Sequence, residues 1–135
     1  MSEHKAKIKW INNTDSMDYT KYNRDHEWYF EDGAVVKASA APDFLGDKSL
    51  IDPEEAFVAS ISSFHMLTFL AICSKKKFFV QEYMDEPVGF LEKDDDGKMS
   101  INRVILKPDI KFLSAEKTPS PEELDKIHQR SHTVL

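Results

Sequence analysis

Few side chains in this sequence are of the kinds that do covalent chemistry. The one cysteine is Cys73, so no intrachain disulfide can form and thiol chemistry would rest on that residue alone. His128 and His132 stand four apart, a spacing that puts both imidazoles on one helix face and suits a metal ion. No third ligand is evident near them in the sequence. Solvated helix histidines are therefore expected, with no metal and no cofactor. The acidic run Asp94 to Asp96 lacks the ligand spacing of a calcium loop and reads as a hairpin tip. Four glycines form no phosphate-binding pattern.

The elements that would position these groups are legible from periodicity and punctuation. Lys5 to Ile11 alternates charged and apolar residues, which predicts a half-exposed strand. His26 to Phe30 and Ala34 to Ala40 flank Asp32-Gly33, a hairpin signal. A long helix is predicted from Asp52-Pro53 to near Lys75. Asp52 is its N-cap, Pro53 takes the first helical position, and Glu55 completes a capping box. Glu54 and Glu55 complement the positive end of the helix dipole and Lys75 to Lys77 the negative end. Its interior is apolar on nearly every side, which predicts burial on every side. A chain of 135 residues cannot easily supply all that cover, and a second copy would complete it. Phe78 to Met84 is rich in β-formers. Val88 to Leu91 and Met99 to Leu106 flank a second hairpin turn, and Asp109 to Leu113 is expected to continue the last strand beyond Pro108. A second helix runs from about Glu122 to His132. The order implies an α+β fold of one domain, residues 1–135.

Composition narrows the function. The formal charge of −6 argues against sequence-independent nucleic-acid binding and against docking on anionic membranes. Ala56 to Cys73 is almost long enough to span a bilayer, but five polar side chains interrupt it, and a buried core helix is the expectation. The charged N-terminal residues have no apolar stretch behind them, so cytoplasmic residence is expected.

Three runs of residues carry a resemblance: Asn23-Arg24-Asp25-His26-Glu27-Trp28, Asp52-Pro53-Glu54-Glu55-Ala56-Phe57-Val58-Ala59 and Ser62-Ser63-Phe64-His65-Met66. Together with Glu86-Pro87-Val88-Gly89 and the C-terminal helix, they resemble the OsmC/Ohr family of osmotically inducible and organic hydroperoxide resistance proteins. The resemblance implies an intertwined homodimer with buried central helices. It also implies a thiol peroxidase of oxidative-stress defence. In such an enzyme a helix-borne thiolate attacks the peroxide, an arginine activates it, a carboxylate orients the arginine, and a second cysteine resolves the product. Carried over by position, Arg24 matches the arginine and Glu54 the carboxylate. The nucleophile position falls on Phe64, and the resolving cysteine falls at or beyond Leu135, as does the usual C-terminal strand.

Cys73 does not stand in for the missing nucleophile. It lies nine residues after Phe64, about 900° round a helix and so half a turn out of phase, and about 13 Å along the axis. A small buried hydrophobe is the expected role of Cys73. His65 points about 100° from Phe64 and is expected at a polar seam or a dimer contact. Trp10, Trp28, Tyr29 and Phe30 are expected in the core or an interface. Arg24 and Glu54 are expected to form a retained anion or peroxide pocket, or a structural ion pair, or to be two solvated charges that never meet. The expected function is an OsmC-like dimer without peroxidase activity, whose other partner would be an apolar or peroxide small molecule. The alternatives are an active hydroperoxide reductase acting through Cys73, an altered copy of an active parent, and a non-catalytic ligand-binding or structural dimer.

Overall fold

The computed structural model describes residues 1–133. The chain forms two compact units, Met1–Ala56 and Phe57–Leu135.

The first unit is built on a three-stranded antiparallel sheet of β1 (Ala6–Lys9), β2 (His26–Phe30) and β3 (Val35–Ala38), in that order. The β2–β3 turn carries Asp32 and Gly33 at φ of 67° and 96°. Two successive left-handed residues are what a tight hairpin needs, and Asp-Gly supplies them at low cost. The register then sets Trp28 opposite Val36 and Tyr29 opposite Val35. Residues 12–23 form a loop held by Asn12, Asn23 and Asp18, whose side chains bond backbone groups nearby.

Helix α1 spans Pro53–Lys75. Its capping box is reciprocal: the Glu55 amide donates to Asp52 Oδ1 at 2.8 Å, and the Asp52 amide donates to Glu55 Oε1 at 3.2 Å. At the other end, the Phe78 amide bonds the Cys73 carbonyl and the Lys77 amide bonds that of Ser74, at 3.0 and 3.1 Å. Lys77 has φ 64°, so the helix closes in a Schellman motif with lysine in the left-handed position.

The second unit contains most of α1, two two-stranded antiparallel sheets and helix α2 (Pro121–Thr133). One sheet pairs β5 (Val88–Lys93) with β6 (Met99–Ile105) through the predicted Asp94–Gly97 turn. The other pairs β4 (Val80–Met84) with β7 (Asp109–Phe112). This corrects the expectation that Asp109 to Leu113 extends the hairpin strand. Pro108 lacks the amide needed to continue the ladder, and the chain beyond it joins a different partner. The core of this unit is Phe69, Cys73 and Ile127, with Leu70, Phe78, Tyr83, Ile110, Phe112 and Leu124 against it.

Val58, Ser62, His65, Phe69 and Cys73 are the buried residues of α1. Their spacing of three or four traces one stripe. Phe57, Phe64 and Leu67 remain 47%, 60% and 58% exposed. The chain alone thus covers one face of a helix that is apolar on several.

Candidate functional site

Arg24 sits at the end of the polar loop, just before β2. Its guanidinium donates to the carbonyls of Tyr19 and Tyr22 and lies over both rings, 3.7 Å from the Tyr22 centroid and 4.7 Å from that of Tyr19. A cation between two aromatic faces is a favourable arrangement. It turns Arg24 toward its own loop. Arg24 and Glu54 form no ion pair with each other among the described residues.

Glu54 occupies the first turn of α1. Its Oε2 is buried and has no hydrogen-bond partner among the described residues. Burial pushes its carboxyl above the usual range, and the carboxylates of Asp52 and Glu55 add to that. An unpartnered buried acceptor is costly unless protonated or supplied with a donor.

Phe64 lies on the uncovered face of α1. Cys73 is 1% exposed, in the core, and burial pushes its thiol up. A thiol so placed is inert, because the thiolate is the nucleophile and the interior disfavours the charge.

Sequence reasoning missed one cluster. His65, 2% exposed, meets His128 of α2, with Nε2 of one 2.9 Å from Nδ1 of the other. One ring must donate and the other accept, so the contact requires a shared proton. His132 meets the His65 ring edge-on, with centroids 5.1 Å apart, and Phe69 stacks on His128 at 4.6 Å. His128 is therefore half-buried and bonded, which corrects its reading as a solvated histidine. Only the separation of 63 residues hid the third imidazole from the sequence. Among the described residues, no group of three or more His, Cys, Asp or Glu side chains is arranged to hold a metal ion. Beside the cluster, the Ser62 hydroxyl donates to Asp85 at 2.6 Å, and Asp85 also accepts the Lys107 amide at 2.7 Å.

The architecture has counterparts of known structure. An OsmC-like protein of unknown function from Vibrio cholerae is 41% identical, with 99% of this chain and 90% of that chain covered and a TM-score of 0.90. The chain belongs to the OsmC-like family. An organic hydroperoxide resistance protein from Elizabethkingia anophelis is 14% identical over 99% of this chain and 84% of that one, at a TM-score of 0.73. One from Bacillus subtilis is 13% identical over 98% and 85%, at 0.63. Those two likenesses show that the OsmC-like chain and the resistance proteins share a fold. Neither a family model nor a curated protein matches the sequence.

Proposed function

We propose that this OsmC-like protein is a cytoplasmic homodimer of the stress-response type that does not act as a thiol peroxidase. The observation that carries the reading is Phe64. The position where the family resemblance expects a nucleophilic thiol holds an exposed ring, and the chain's only thiol lies buried in the core. The remaining machinery points the same way. Arg24 is engaged by its own loop, and Glu54 makes no ion pair among the described residues.

The exposed apolar residues of α1 support self-association. Phe57, Phe64 and Leu67 would be covered by a second copy, and a ring at position 64 adds apolar area where a thiol adds little. The same helix is long and apolar enough to cross a bilayer, by length and composition only. Its reciprocal cap, buried His65 and Ser62–Asp85 bond suit a water-soluble core instead. Any small molecule held near the site would be apolar or a peroxide, bound without turnover.

Consumption of an organic hydroperoxide with a dithiol reductant tests the reading. The wild type is expected to match Cys73→Ser and the protein-free blank. Dithiol-dependent turnover that Cys73→Ser abolishes would overturn it.

A further inference from the structure

At the C-terminal end of α1, a cavity of about 420 Å³ opens among Leu70, Cys73, Phe78, Val80, Lys77 and Lys117. Its walls are mostly hydrocarbon, and its two lining lysines, Lys77 and Lys117, are exposed residues in no ion pair among the described residues. The placement of Lys77 is unusual. It holds the left-handed position of the Schellman motif, φ 64°, where glycine is normally preferred because a Cβ is disfavoured there. Lys117 is brought alongside by the Phe79 amide, which donates to the Lys117 carbonyl at 3.0 Å. With Lys75 and Lys76 just before, four lysines gather at this end of a chain whose net charge is −6. The local sign is thus opposite to that of the whole.

We propose that this cavity binds a small amphipathic anion, with a single carboxylate held by Lys77 and Lys117 and a short apolar tail against Leu70, Phe78 and Val80. The charge sets the head group: two lysines without carboxylate partners favour a monoanion over a neutral or cationic head. The volume sets the tail, since pockets of a few hundred Å³ accept ligands of drug size or smaller. The exposed head groups make the contact sensitive to salt. Phe64, Arg24 and Glu54 do not line the cavity, so the proposal stands or falls independently of the peroxidase question.

Octanoate and octanol, titrated into the full chain and followed by amide chemical shifts, test the proposal. Octanoate is expected to give saturable shifts at residues 77–80 and 117 and to bind several-fold more tightly than octanol. Lys77→Gly and Lys117→Gln should each weaken octanoate about threefold and the double variant about tenfold, the scale of exposed charge contacts. Added salt should erode the same difference. Lys77→Gly relieves the left-handed backbone, so it should melt no lower than the wild type, which separates lost binding from lost folding. Equal binding of octanoate and octanol, undiminished binding by the double variant, or shifts away from the cavity would each overturn the site.

Discussion

His65 enters the interior of the second unit with an Nδ1 that has no hydrogen-bond partner among the described residues and a neighbour at Nε2 that is itself an imidazole. Burial pushes His65 below its ordinary value of 6.5, and His128 and His132 push the same way against Asp85. His128 is lowered from 6.5 too, by burial first and by His132, with Asp125 opposing. Both groups therefore stay neutral in the fold at pH values where the unfolded chain is protonated. Their contribution is fully present above about pH 6.5 and is lost as pH falls through the depressed values of the folded state. Melting temperature against pH should be level near neutrality and fall below about 6.5. His128→Gln should flatten that fall, and an unchanged profile would show that the pair does not titrate as described. None of this was visible in the sequence, where His65 and His128 are ordinary members of different helices. Cys73 was legible, because its phase relative to Phe64 follows from helix geometry alone.

At the scale of elements, α1 was the most legible part, and its span of Pro53–Lys75 follows the cap chemistry in the sequence. Both capping-box bonds are made, and Asp52→Ala should cost about 1 kcal/mol in chemical denaturation. The two hairpins were legible for the same local reason, since their turns need left-handed residues and the sequence supplies Asp32-Gly33 and Gly97. The β4–β7 pairing was not, because strand partners far apart in sequence leave no local mark. Gly89 is a second case of hidden close approach. A Cβ there would stand 2.3 Å from Val58 Cγ2, so β5 packs directly on α1. Gly89→Ala should destabilise by about 1–3 kcal/mol, the range for an overpacked core. Val58→Ala combined with it should recover part of that loss, as a double-mutant cycle would show. Additive losses would place the strain elsewhere.

For the whole molecule, the all-round apolar pattern of α1 has only one stripe covered within the chain. A second copy is the cover the pattern implies, so sedimentation should give a dimer, and Phe64→Asp should shift it toward monomer. A monomeric wild type would contradict the packing role given to Phe64. The family was legible in the sequence through short runs of residues, and the 41% identical Vibrio cholerae protein bears it out. The orientation of Arg24 was not legible, because Tyr19 and Tyr22 engage it through backbone carbonyls and ring faces that no motif records. The central claim is that this scaffold carries no reactive thiol. Its most direct test is peptide-level mass spectrometry of Cys73 after equimolar cumene hydroperoxide, under native conditions. The thiol is expected to stay unmodified and to be oxidised only after the chain is unfolded. Rapid conversion of Cys73 to a sulfenic acid in the folded protein would contradict it.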